Sequence, residues 1–405
     1  MNPGGNSAAI FTESKQYLAG GSSTGSKRPA YLPEEPGVIV RGRGCRVWDA
    51  DGREFIDFRN GLGPVTLGYC VPEINAAIAA QLDHGIVFGQ PHPLEGAVAR
   101  LLCENIPCAE RVRFLKTGGE ACAAALLLAR AHTGRGKVMQ IGYNGWLNSV
   151  GRGALALPGR PVAAADTPPG VPPALAESFT VCRWNDLELL EQVLAAHPED
   201  YAAIIIACDY PTLAQGREFL PAVRELTRRY GVLMIMDEIV TGFRLAMGGA
   251  HEYFKFQPDL AVFAKGIANG MPLSAFLGRA AVMETLSKCT VSSTYGGETL
   301  SLAAAAAAID FYRRHDVCAH LWRAGEMMWG GLQGLFDARG VGIKIRGLWP
   351  CPRFAAENPE LMRQFMRAAY VNGVALYHVP YVNYAHKDKD IAEALERLER
   401  ALRSL

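Results

Sequence analysis

No Cys-x-x-Cys pair occurs anywhere in the 405 residues, although the chain carries ten cysteines. That spacing would mark a zinc site or a thioredoxin-like centre, so its absence argues against both. Scattered thiols in apolar or small-residue surroundings read instead as free, mostly buried cysteines in a reducing compartment. Net charge is scarce too: 41 Lys and Arg against 40 Asp and Glu leave +1. No basic run or aromatic–basic stripe stands out, so neither nucleic acid nor an anionic membrane is an expected partner. The longest apolar run, SLAAAAAAIDFY, is Ala-rich and broken by Asp310, too short and too weak to span a bilayer. The N-terminus MNPGGNSAAIFTESKQYLAGG lacks a basic segment leading into an apolar one. No secretory signal is therefore expected, and a cytoplasmic location is.

What is present is the mix of a globular protein, 49% hydrophobic and 20% charged residues, in a chain long enough for two domains. Residues 1–65 read as a Gly/Ser-rich arm plus part of a small domain, 66–300 as a large domain, and 301–405 as a C-terminal small domain. VIVRGRGCRVWDADGREFIDF has the β-branched and aromatic residues of a hairpin around DADG, with Trp48 expected to pack the core from a strand. PEINAAIAAQL and PLEGAVARLLCENI have helical spacing. From residue 111 the rhythm changes. RVRFL, KVMQIG, YAAIIIA, VLMIMDE and PDLAVFA are continuous apolar runs alternating with amphipathic helices. That alternation predicts an α/β domain with a mostly parallel sheet covered on both faces. Residues 155–173 read as a Pro/Gly-rich surface loop. The C-terminal part, with GVALY and DIAEALERLERALRSL, predicts a smaller α+β domain.

Two of the apolar runs end in charge. VLMIM leads into Asp237 and Glu238, and LAVFA leads into Lys265. A buried lone charge is costly unless it is paired or in use, and open parallel sheets bind ligands at the C-terminal ends of their strands. A structural Asp–Lys pair under a loop would explain these two alone. A third strand end changes the balance. RFLKTGGEACAAALLLAR places Gly118 and Gly119 between a strand and a helix, where backbone N–H groups and the helix dipole favour an anion. The three sites together suit one ligand with an anionic tail, a basic ring atom for Asp237 and an electrophile for Lys265. Pyridoxal 5′-phosphate has those features.

Several blocks, in this order, then carry a resemblance: GCRVWDADGREFIDF, KTGGEACAAALLLARAHTGRGKV, MDEIVTGFR, PDLAVFAKGIANGMPLSAFLGR, STYGGETLSLAAAAA and VNYAHKDKDIAEAL. Over nearly its whole length the chain resembles the class III aminotransferases of pyridoxal-phosphate fold type I, and within them the glutamate-1-semialdehyde aminomutase branch. The resemblance implies a large domain with a mostly parallel seven-stranded sheet flanked by helices, plus the smaller α+β domain. It implies catalytic roles for Lys265, which would bind the cofactor as an imine and shuttle a proton, and for Asp237, which would keep the pyridine nitrogen protonated. The implied cofactor-binding set is Gly118, Gly119, Tyr143, Asp237, Ile239, Lys265 and Thr294. Tyr143 would stack on the ring and Thr294 would reach the phosphate of the other subunit of a homodimer. Glu238 is assigned only a local ion pair, with Arg244 as candidate partner. No metal is implied.

The chain departs from the family pattern at four points. Asn144 stands where a His is common, Gly119 where a hydroxyl residue is common, Ala207-Cys208 where Glu-Pro is usual, and Leu62 where the aminomutases have an aromatic. The last two changes bear on the substrate side of the pocket. Other motifs give way to blander readings. GSSTG around Ser23 matches a hydrolase elbow but follows no apolar strand, so Thr24 is read as a substrate-entrance contact by the resemblance instead. TGRGKV lacks the glycine and hydroxyl residue of a P-loop. His84 and His92 read as loop histidines rather than metal ligands. The expected function is transfer of an amino group between an amino donor and a keto or aldehyde acceptor. An aminomutase or epimerase using the same residues is the alternative, and a non-catalytic relative the third reading.

Overall fold

The computed structural model describes residues 6–144 and 170–405. The loop read at 155–173 lies outside the described residues as far as 169. The chain divides into two compact units, Met1–Pro72 with Ala319–Leu405, and Glu73–Cys318. Among the described residues no helix is long and apolar enough to cross a membrane.

In the first unit the arm contains a short helix, Ser7–Ser14, whose N-cap Asn6 accepts the N–H groups of Ala8 and Ala9. Strands β1 (Ile39–Arg43), β2 (Arg46–Asp49) and β3 (Glu54–Asp57) form an antiparallel meander. The short strand Val374–Ala375 extends it, parallel to β3. The DADG turn forms because Asp49 Oδ1 accepts the N–H of Asp51 and of Arg53, while Gly52 supplies φ 83°. Trp48 does lie on a strand but is only half-buried: the Arg41 guanidinium covers it, 4.0 Å from the ring. A second two-stranded sheet and the helices Pro359–Val371 and Asp388–Leu402 complete this smaller α+β unit.

The second unit holds the seven-stranded sheet. Its strands are β4 (Arg111–Leu115), β5 (Lys137–Ile141), β6 (Phe179–Cys182), β7 (Tyr201–Ala207), β8 (Leu233–Asp237), β9 (Leu260–Phe263) and β10 (Ser274–Gly278). Their order is β4-β10-β9-β8-β7-β5-β6, and β10 alone runs against the rest. The expected α/β architecture is therefore present. Tyr201, Ile204, Ile205 and Ile206 of β7 are almost wholly buried, as a strand covered on both faces requires. The helix Gly118–Thr133 covers one face with Ala121, Cys122, Ala125, Leu128 and Ala129, all buried. Its small residues let it lie close on the sheet, so Cys122 comes within reach of the strand ends.

Candidate active site

Three strand ends share one edge of this sheet. β8 ends on Asp237, and neighbouring β9 leads through Ala264 to Lys265; Asp237 is in register with Val262. β4, also antiparallel to β10, ends at Leu115 opposite Ser274 and leads into Gly118. The helix that begins there has a complete capping box. Thr117 Oγ1 accepts the N–H of Glu120, and Glu120 Oε2 accepts the N–H of Thr117 at 2.7 Å. Thr117 thus serves the third turn position, and the N–H groups of Gly118 and Gly119 are the first-turn donors left for an anion. Glycine is needed at 118 for packing as well: a Cβ there would stand 2.4 Å from Cδ1 of Ile239. The phosphate-type turn and the residue after Asp-Glu are in this way pressed together.

Asp237 is 7% exposed. Its Oδ1 accepts the Ile239 N–H at 3.1 Å, and its Oδ2 accepts Asn144 Nδ2 at 3.3 Å and the Cys122 thiol at 3.7 Å. Burial pushes its pKa up to about 6, against the pull of the Ile239 N–H, the Lys265 charge and the Asn144 amide. Lys265 is half-buried and sits at φ 50°, a left-handed conformation that a lysine adopts only at a cost of roughly 1 kcal/mol or more. Tyr143 lies beside the same carboxylate. Burial, then Asp237 and Cys122, push its phenol up to about 12, yet 44% of the residue stays exposed. An aromatic exposed to that degree beside a buried acid is available for stacking.

Glu238, one residue on, points elsewhere. Its carboxylate is held by a buried set: the Thr241 hydroxyl, the N–H of Ala250 at 2.7 Å, and the N–H and Nδ1 of His251 at 2.9 and 3.1 Å. Burial alone would lower the pKa of His251, but hydrogen bonds with Cys108 and Glu238 reverse this and carry it up to about 10. The pair staples the loop 238–251 that carries Ile239. Thr294 is exposed in the turn after Val291, and no hydrogen bond among the described residues ties it to the Asp237 cluster. Its turn is fixed to β4 from both sides, by Arg113 donating to the Val291 carbonyl at 3.0 Å and by the Lys116–Glu298 ion pair at 2.8 Å.

The departures at Ala207-Cys208 and at Leu62 fall in tightly built surroundings. Gly142, at φ 74°, packs so closely on β7 that a Cβ would stand 2.5 Å from the Ala207 carbonyl oxygen. Asp209 accepts the Thr212 hydroxyl at 2.6 Å and so fixes the turn after β7. In the other unit Leu62 sits at φ 75° and lines a cavity of about 370 Å³ with Lys27, Glu35, Asp57 and Arg59. His92 is the N-cap of the helix Pro93–Asn105, its Nδ1 accepting the Leu94 N–H. Ser23 follows a 3-10 turn rather than a strand. Sequence reasoning missed two residues at the site, Cys122 and Asn144. The unusual Asn after Tyr143 was the available signal for one; nothing in the helix pattern marked the other.

The residues present fit pyridoxal phosphate. A buried, under-compensated carboxylate lies near a lysine just after the next strand, an aromatic flanks it, and a glycine turn opens a helix at the same sheet edge. The fold and this edge define a pyridoxal-phosphate-dependent enzyme of fold type I. The sequence profile of the class III aminotransferases matches residues 31–402, and the chain belongs to that family. It is 32% identical to the glutamate-1-semialdehyde 2,1-aminomutase of Persephonella marina over 98% of both chains. It is equally similar, at 32%, to the 3-aminobutyryl-CoA aminotransferase of Cloacimonas acidaminovorans, over 98% of this chain and 96% of that one. Among solved structures, an omega-transaminase from Sphaerobacter thermophilus superposes with a TM-score of 0.86 at 25% identity, covering 99% of this chain and 98% of that one.

Proposed function

We propose that the chain is an aminotransferase in which Lys265 and Asp237 are the catalytic pair, moving an amino group between a small amino donor and a keto or aldehyde acceptor. The observation that carries this is the placement of Asp237 and Lys265 at the ends of adjacent strands, with Tyr143 beside them. Bound pyridoxal phosphate supplies a carbonyl that takes up amines and a protonated ring that accepts electrons from the substrate's Cα. The chain's own residues do the rest. Lys265 would hold the cofactor through its Nζ and, once freed by an incoming amine, the same Nζ would be placed to take the proton from the substrate's Cα and act as the general base and acid of the proton shift. Asp237 holds a proton on the ring nitrogen, a task suited to an ionised acceptor. Tyr143 covers one face of the ring and Ile239 supports it, while the N–H groups of Gly118 and Gly119 hold the phosphate.

Thr294 completes the phosphate site from a second copy, which makes the enzyme a homodimer. Two features support that reading. Thr294 is exposed in one chain, and the segment Leu82, Ile86, Val87 and Phe88 leaves large apolar side chains exposed just before the helix Pro93–Asn105. The free thiols fit a reducing, cytoplasmic setting. An intramolecular aminomutase is the second reading, favoured by the relatives that bear that name. Stoichiometry separates the two. Single amino donors are added to the holoenzyme and its visible spectrum is followed, and then acceptors are added with the best donor. A transaminase gives a half-reaction that needs a second substrate to reset. Turnover of one amine to its positional isomer, with no acceptor consumed, would replace the transaminase by the aminomutase. No spectral response to any amine would overturn both.

A further inference from the structure

We propose that Asn144, seconded by Cys122, is a positioning residue that holds the Asp237 carboxylate towards the cofactor's ring nitrogen with neutral donors only. The inference rests on the reading of Asp237 given above and adds the means by which this chain keeps that acid in place.

Among the described residues three donors converge on Asp237, and none of them carries charge: the Ile239 N–H, the Asn144 amide and the Cys122 thiol. Two of them fall on the same oxygen, Oδ2, which fixes the plane of the carboxylate and leaves Oδ1 with a single donor. Among the described residues the titratable groups facing this acid are few. From the helix Gly118–Thr133 comes Cys122, fully buried, its thiol pushed up well above the ordinary value by burial and by Asp237 itself. After β5 comes Tyr143, whose phenol is pushed the same way. After β9 comes Lys265, and along the chain Glu238, which is engaged with His251. Neither Cys122 nor Tyr143 ionises near neutrality, so within this shell the proton balance of Asp237 depends on burial, on Lys265 and on hydrogen bonds that do not change with pH.

Asn144 itself points to an evolved contact. Its side chain is 1% exposed, Nδ2 is spent on Asp237, and Oδ1 has no partner among the described residues. A buried amide oxygen left unpaired costs about 1–3 kcal/mol, which a merely space-filling residue would avoid. The orientation is also the one that works: turning the amide over would set Oδ1 against the carboxylate. An imidazole at this position would titrate near neutrality and add charge to the shell; the amide does not.

The test uses pyridoxamine 5′-phosphate, which makes no covalent link to Lys265, bound to cofactor-free protein and followed by fluorescence from pH 5 to 9. In the wild type, affinity falls as pH drops through the point where Asp237 takes up a proton. Asn144→Ala removes a donor to the ionised form, so the acid limb moves to higher pH and affinity at pH 7 drops about 10-fold. Asn144→His adds a group that is cationic when acid. It moves the limb to lower pH and introduces a second titration. Cys122→Ser keeps a donor and leaves the limb nearly in place. Thermal midpoints of the unliganded variants check that each is folded. If folded Asn144→Ala kept the wild-type affinity and midpoint while the wild type bound normally, the positioning role would be overturned and the reading of Asp237 would stand. If the wild type showed no acid limb and no affinity, that reading would fall and this one with it.

Discussion

Asp237 and Asp259 are two buried aspartates at opposite edges of the same sheet, and they are treated in opposite ways. Asp237 closes β8 at the C-terminal edge; Asp259 immediately precedes β9 at the N-terminal edge. They are 7% and 2% exposed. Asp259 is saturated with donors. Arg224 bonds both its oxygens, one at 3.0 Å, Arg279 reaches it at 2.8 Å and the Met234 N–H at 2.9 Å. Burial would raise its pKa, but Arg224, Met234 and Arg279 outweigh it and hold the carboxyl below the usual range. Among the described residues Asp237 meets no arginine, only neutral donors and the lysine just after the next strand, and burial wins. On the function proposed above, the difference separates a fastener from a tool. A structural carboxylate is compensated within its own chain, whereas a working one is left short of positive charge so that a ligand can supply it.

The largest expected effect tests the working edge. Lys265→Ala should cut turnover by roughly 10³-fold or more and abolish the visible band of covalently held cofactor, read by steady-state assay and absorbance. Normal turnover in that variant would remove the asymmetry, because Lys265 would then be as structural as Arg224. The next effect belongs to the fastener. Asp259→Asn leaves the buried Arg224 charge uncompensated and should cost about 3–5 kcal/mol of stability in chemical denaturation. Its cofactor spectrum, once folded, should be unchanged.

The pH dependence of the two acids has opposite sign. Asp259 has its folded pKa below the unfolded value, so its contribution is present above about pH 4 and is lost as pH falls through the lower folded value. Asp237 has its folded pKa raised from 3.8 to about 6, so the cofactor-free protein loses stability as pH rises between those values. A shift of that size corresponds to roughly 2–3 kcal/mol. Asp237→Asn should therefore stabilise the cofactor-free protein by about 1–3 kcal/mol at pH 8 while it disables the enzyme. Denaturant midpoints at pH 4 and pH 8 decide it: the gain should shrink at the lower pH, and a destabilised variant at pH 8 would show that Asp237 is a fastener after all.

The working edge was more legible in the sequence than the fastening one, for a physical reason. Asp237 and Lys265 announce themselves because each ends a continuous apolar run, and Gly118-Gly119 gain meaning beside them, since glycines between a strand and a helix serve plain tight turns as well as anions. The run lengths likewise made the parallel sheet readable. Long-range compensation leaves no such local mark. Arg224 lies on the polar-looking helix Gly216–Tyr230, 35 residues from Asp259, and only folding brings the two together. His251 is invisible as a partner of Glu238 for the same reason, lying 13 residues on. Cys122 looked like one more small residue of a buried helix face. Asn144 was visible only as a departure from pattern, and its meaning needed the position of Asp237 Oδ2.

The smallest effect probes whether the compensation at the working edge crosses between subunits. Thr294→Ala should weaken retention of pyridoxal phosphate by up to about 10-fold, the loss of one hydrogen bond to a charged group. The size of the loss does not say which subunit's phosphate is held, but mixed dimers do. In a hybrid of a Thr294→Ala subunit with a Lys265→Ala subunit, the intact lysine belongs to the first and the intact threonine to the second. If Thr294 reaches across, that site is complete and retains cofactor like the wild type, so gel filtration followed by absorbance should recover full occupancy of one site per dimer. If Thr294 serves its own chain, the hybrid should leak cofactor as fast as the Thr294→Ala homodimer. The phosphate, like the ring nitrogen, would then be held without help from a second copy.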